Sequence, residues 1–367
     1  MVRLDLPHFW AENAASSGKP FSTNKPRCPI SLSVDDHWLS DEMKLPSTLR
    51  YYRDAEYRLE VHRQCNDRCE AAIGIRPFRQ TPAPPPPLRI EQVFGCRMEL
   101  TENSTPWLEP GVSTPAEMSQ LLDRLEKLDE AGLRELVFST GGRVERQEPL
   151  PDGRLRTHNS WSRGPATVGT SVIGTTQYAF WLVDEPALMD RFYEVLTETL
   201  VRYHRILGRE MNVRVRGFAW LDDNCALLSP PMYERFCFPV MKRVFDEFCP
   251  GPEDRRFQHS DSAMAHLLPI LSRLSFHGVN FGPTVSAAEI RRHMPRTEIH
   301  GQVAPNTVRN GTLEDVVAEV KRDFAAVGAD GGLHVTTAGS ISAGTSLDSI
   351  RGFMWSVQEH TRYGGKG

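Results

Sequence analysis

Little in this 367-residue sequence would direct it to a membrane, a nucleic acid or an export route. Nowhere do about eighteen uncharged apolar residues run together, so no segment suits a bilayer-spanning helix. The opening, MVRLDLPHFWAENAASSGK, lacks the apolar stretch of a secretory signal, and a cytoplasmic protein is the expectation. No basic run or nucleic-acid module is present. The formal net charge of −4 and pI near 6.3 provide no field for a phosphate backbone, so neither nucleic acid nor membrane is an expected partner. No Walker motif or GxGxxG follows a strand-like run, which argues against a nucleotide-binding open sheet. The seven cysteines are an odd number scattered through a long chain, which fits reduced thiols better than a disulfide framework. Cys65 and Cys69 share one face of a helix at i,i+4 spacing. With no second Cys or His pair nearby to complete a tetrahedral site, packing is their better reading.

What is present is enough apolar residue, 40%, to build one large core, and a single domain over residues 1–367 is expected, with an N-terminal extension to about residue 28. Residues 53–73 alternate apolar and charged at helical spacing and stop before Gly74. The following TPAPPPP reads as a stiff surface loop over 81–88. Beyond it, short apolar runs alternate with amphipathic segments, the sign of βαβ units. Strands are expected in VRVRGFAW, RFQHS, HGVNFG, TEIHGQV and GGLHVTT, with helices near 231–248, 263–274, 287–293, 313–327 and 347–360. PISLS, GIRPF and the segment around GPATVG are further strand candidates. Parallel strands returning through helices either close into a barrel or spread as an open sheet.

In a barrel the active site is built at the C-terminal ends of the strands, which gives polar residues there special weight. VRVRGFAW runs into Asp222-Asp223, RFQ into His259-Ser260-Asp261, and Asn280, His300, Gln302 and His334 lie in the later strands. His259 and Asp261, two residues apart, face the same side of a strand and suit a metal or an acid–base pair; a hydrogen-bonded loop couple fits the spacing equally well. Asp222 and Asp223 suit a general base, a substrate anchor or a metal ligand, or else the cap of the helix that starts at Ser229-Pro230-Pro231. Trp107, Trp161 and Trp220 are candidate stacking surfaces, although packing is the commoner role of tryptophan.

The stretch LDDNCALLSPPMYERFCFPVMKRVFDEF resembles a strand-loop-helix of the uroporphyrinogen decarboxylase superfamily. The likeness continues through His259-Ser260-Asp261, GVNFGP, His300-Gly301-Gln302 and GTLEDVVAEVKRDFAAVGADGGLHVTTAG, and upstream through RGPATVGTSVIG. It covers about the C-terminal two-thirds and implies an α/β fold, a (β/α)8 TIM barrel. It also implies an enzyme, either a decarboxylase or a corrinoid-linked methyltransferase, and an expected homodimer. An arginine-rich segment for porphyrinogen carboxylates is absent and Ser171 stands where the resemblance expects tyrosine, so a substrate other than uroporphyrinogen is expected.

The methyltransferase branch holds zinc on a His-x-Cys and a later Cys. Here His259 is kept, Asp261 replaces the first Cys, and Thr337-Ala338-Gly339-Ser340 occupies the later region. The expectation is a lyase on a carboxylated small molecule without an organic cofactor, with Asp222, Asp223, His259 and Asp261 catalytic. Asn280, His300, Gln302, His334 and Trp220 would bind substrate. Zn, Mn or Fe on His259, Asp261 and Asp223 is the harder-ligand alternative, accompanied by methyl transfer and a corrinoid-protein partner; a catalytically silent binding barrel is the third reading.

Overall fold

The computed structural model describes residues 2–364 and divides into two compact units. One comprises residues 83–99 and 107–276, the other residues 1–82, 100–106 and 277–367. The strands in chain order are β1 (Arg97–Glu99), β2 (Trp107–Glu109), β3 (Arg156–Arg163), β4 (Val213–Leu221), β5 (Arg255–Ser260), β6 (Gly278–Phe281), β7 (Glu298–Val303) and β8 (Leu333–Thr337). No helix of the described residues is long and apolar enough to cross a membrane.

The first of these units pairs β1 with β2 antiparallel and joins β3, β4 and β5 in parallel. The Pro186–Met211 helix returns the chain from β3 to β4, and the Phe238–Phe248 helix returns it from β4 to β5. Both helices turn apolar faces, among them Phe192, Leu196, Val244 and Phe245, into the core. The expected helix over 231–248 begins as read: the Ser229 hydroxyl accepts from the Met232 N–H, and Pro230 fills the first turn, where no N–H partner is needed. It then passes through a wide turn at Tyr233–Cys237. The 263–274 segment is less regular than expected and breaks into short turns around Leu268–Leu271.

In the other unit β6, β7 and β8 are parallel neighbours, and PISLS runs beside β8, with Ile30 bridged to Val335. The Asn13 side chain of the Leu6–Ser16 helix bonds both the N–H and the carbonyl of Ile30, so the N-terminal segment is tied to the strand layer. Helices Ala287–His293 and Leu347–His360 match expectation; the one at Leu313–Asp323 ends in a wide turn at Phe324–Gly328.

Two strand readings are corrected. GIRPF forms no strand: Asn66 bonds both the N–H and the carbonyl of Phe78, replacing a ladder with one side chain. GPATVG lies in the Pro165–Ile173 helix, whose first-turn proline outweighs the strand preference of Val168 and Thr170. The helix expected over 53–73 begins at Ala55, capped by Asp54, after a separate short helix at Thr48–Arg53.

Candidate functional site

Leu221 of β4 pairs in register with His259 of β5, and Trp220 with Gln258. Side chains alternate along a strand and registered neighbours share a face, so each pair of strands shows two different surfaces. His259 and Phe257 belong to one, Trp220 and Gln258 to the other.

On the first surface, just past the strand ends, three predicted residues meet. His259 Nε2 lies 3.3 Å from Asp261 Oδ1 and 4.0 Å from Asp223 Oδ1. The Asp261 backbone N–H donates to Asp223 Oδ1 at 2.7 Å, so the two acidic residues are locked together. One ligand atom from each lies within 4.8 Å of the others. The His259 side chain is mostly covered, at 22% exposed, whereas the acidic side chains are about half open, at 49% for Asp223 and 52% for Asp261. This arrangement can hold a proton between imidazole and carboxylate, or offer one nitrogen and two oxygens to a cation.

Asp222, expected to share in the chemistry, faces the other way and is fully buried. Its Oδ1 accepts from the N–H and the hydroxyl of Thr167, both at 2.9 Å. It thereby caps the Pro165–Ile173 helix, whose own cap position, Gly164, has no side chain to do so. A Cβ on Gly164 would lie 2.2 Å from that of Asp222, so glycine permits the approach. Burial pushes the Asp222 carboxyl up to about 6 despite the Thr167 bonds. Asn224 completes the tether, its N–H on Thr167 Oγ1 and its Nδ2 on Thr170 Oγ1 at 2.6 Å. Thr167 and Thr170, which sequence reasoning missed, thus fix the loop that carries Asp223. Trp220 is also corrected: it is fully buried against Phe218 and Phe245 and offers no open stacking surface.

The remaining predicted residues lie on β6, β7 and β8 in the other unit. His300 and His334 are registered neighbours with stacked rings 4.6 Å apart, and they sit in the N-terminal halves of β7 and β8 rather than at their C-terminal ends. Glu298, unnoticed in the sequence, completes a second group, 3.0 Å from His300 Nε2 and 3.9 Å from His334 Nδ1. Ser31 meets His334 Nε2 at 2.7 Å. Gln302 and Asn280 bond to main-chain carbonyls: Gln302 Nε2 donates to those of Gly282 and Val285, and Asn280 Nδ2 to those of His300 and Thr337. Both are buried, and these bonds brace strands and loops.

The family model described as "Uroporphyrinogen decarboxylase (URO-D)" matches residues 47–360, which include both acid–histidine groups above. The chain belongs to the uroporphyrinogen decarboxylase family. Its fold class is therefore α/β, the (β/α)8 TIM barrel of that family. Among solved structures it is similar to a methyltransferase from Methanosarcina mazei, with TM-score 0.58 and 15% identity, covering 91% of this chain and 94% of that one. A B12-independent methionine synthase from Shewanella, in complex with selenomethionine, matches at TM-score 0.39 and 11% identity over 82% of this chain and 85% of that one. No curated protein matches significantly. In family terms, Asp223, His259 and Asp261 occupy the end of the strands where barrel enzymes build their active sites.

Proposed function

We propose that this member of the family is a carbon–carbon lyase of the decarboxylase type, acting on a carboxylated small molecule other than uroporphyrinogen. The observation that supports it is the convergence of Asp223, His259 and Asp261 at the ends of adjacent parallel strands. In a decarboxylation the bond to the carboxylate carbon breaks, CO2 leaves, and the electron pair left behind is delocalised in the substrate until a proton arrives. His259 delivers that proton, and Asp261 orients the ring through the 3.3 Å contact at Nε2. Asp223, pinned by the Asp261 N–H, holds the second carboxylate in place.

The same side chains also fit a divalent cation. One imidazole and two carboxylates make a borderline-to-hard donor set suited to Zn, Mn or Fe, unlike a thiolate site, because every cysteine is buried and none belongs to the group. A bound ion would supply a Lewis acid. This donor set supports the second reading, metal-dependent methyl transfer, for which a corrinoid protein would be a partner. Seven buried, unbridged thiols suit a reducing compartment, and a cytoplasmic homodimer is part of the same proposal.

The test is elemental analysis of untagged protein beside His259→Ala, together with CO2 release from a panel of carboxylated metabolites. The lyase reading expects turnover that falls at least a hundredfold in His259→Ala and in Asp223→Asn. Near-stoichiometric metal lost in His259→Ala, with activity that depends on a corrinoid, moves the assignment to methyl transfer. Normal turnover in both variants refutes the site.

A further inference from the structure

The surface of β3, β4 and β5 that carries His259 carries two more residues that the reading above leaves unused. Arg163 of β3 pairs with Leu221 of β4, which pairs with His259 of β5; Trp161 pairs with Ala219, which pairs with Phe257. Registered neighbours in parallel strands point the same way, so Trp161 and Arg163 face with His259, and Arg163 stands at the same C-terminal end. Two strand spacings put Arg163 roughly 10 Å from His259 across the sheet.

Both residues line a cleft of about 380 Å³ along the edge of β3, within the range of small-molecule sites. Its walls include Pro87 and Ile90 and, from the helix-covered side of the sheet, Ser160, His204, Leu207 and Met211. Trp161 is 53% exposed, an unusual display of indole. Arg163 is held in place from behind: its Nε faces the buried carboxylate of Glu91 at 3.3 Å, and its Nη1 donates to Ser171 Oγ. The Arg163 side chain is 37% exposed, and its guanidinium carries five N–H donors, more than these two contacts use. Arg89 adds a second positive charge to the lining, so the cleft has an excess of positive charge over Glu91. The Ser162 hydroxyl, also lining the cleft, is 4% exposed and has no hydrogen-bond partner among the described residues.

We propose that this cleft binds a small planar acid, a flat apolar body lying against Trp161 and a carboxylate received by Arg163. The ligand class is then an aryl or similarly planar carboxylic acid of about one ring and a short chain. This inference stands apart from the proposed function. Arg163 and Trp161 are the ligand-contacting residues, and Glu91 is a positioning residue that acts through Arg163.

Calorimetric titration with 3-phenylpropanoate and its neutral amide, 3-phenylpropanamide, tests the cleft without turnover or metal. In the unsubstituted protein the acid binds about tenfold or more tighter than the amide, the margin of a charge-assisted pair. Arg163→Met alone would strand the buried Glu91 carboxylate, so the test variant is Arg163→Met with Glu91→Gln, its folding checked by thermal unfolding. There the acid-to-amide ratio falls to about one, while Trp161→Ala weakens both probes by a similar factor. His259→Ala leaves both affinities within about twofold, so this inference and the proposed function can fail separately. Equal binding of acid and amide to the unsubstituted protein, binding of neither, or a ratio unchanged in the double variant overturns the proposal.

Discussion

Replacing Asp222 with asparagine isolates the cost of keeping a carboxyl where water cannot reach it. The side chain is fully buried, and desolvation raises its pKa from an ordinary 3.8 to about 6. Because the folded value lies above the unfolded one, the folded state binds the proton more tightly. The stability this contributes is complete below pH 3.8 and is lost as pH rises through 6. At 1.36 kcal/mol per pH unit the full loss is about 3 kcal/mol, of which about 2 kcal/mol falls between pH 4.5 and 7. Asparagine keeps an oxygen for the N–H and hydroxyl of Thr167 but does not ionise. Urea unfolding of both proteins at several pH values, with the difference plotted against pH, removes the contribution of every other titrating group. The variant should gain about 2 kcal/mol on the unsubstituted protein from pH 4.5 to 7 and nothing further above that. A difference that stays flat across the range would refute the assignment of Asp222 as a buried, reluctantly ionised cap.

Two substitutions probe the scaffold around it. Gly164→Ala places a methyl 2.2 Å from the Asp222 Cβ and Cγ, atoms with no room to retreat, and should cost about 3 kcal/mol or more, read as a lowered midpoint of thermal unfolding. Trp220→Ala removes a fully buried indole from among Phe218 and Phe245 and should cost about 3–5 kcal/mol in urea unfolding. If the folded fraction of Trp220→Ala binds 3-phenylpropanoate more weakly, the indole has a role in the cleft that its burial does not show.

The parts of the fold legible in the sequence are those where local signals agree. Ala287–His293 and Leu347–His360 were bounded correctly because apolar spacing and a serine cap point the same way at each. GPATVG misled because Val168 and Thr170 favour strands, whereas Pro165 in the first turn and the remote Asp222 carboxyl make a helix there. GIRPF misled because Ile75 and Phe78 favour a strand, whereas Gly74 caps the preceding helix and Asn66 takes the backbone bonds of Phe78 that a neighbouring strand would supply.

At the site, the two-residue step from His259 to Asp261 was readable because alternation puts both on one face of a strand, wherever that strand lies. Asp222 and Asp223 were not separable, since neighbours on an extended chain point to opposite sides and only the packing of the Pro165–Ile173 helix decides which side is dry. Glu298, Thr167, Thr170 and Arg163 escaped notice for a related reason: each gains its meaning from a partner on another element. By itself the sequence determined the family, the alternation of strands and helices, and the His259–Asp261 pair, all of which depend on local order along the chain. Tertiary structure alone decided which carboxylate is buried, which tryptophan is exposed and which arginine shares a surface with His259, because those depend on strand register and on what packs against each face.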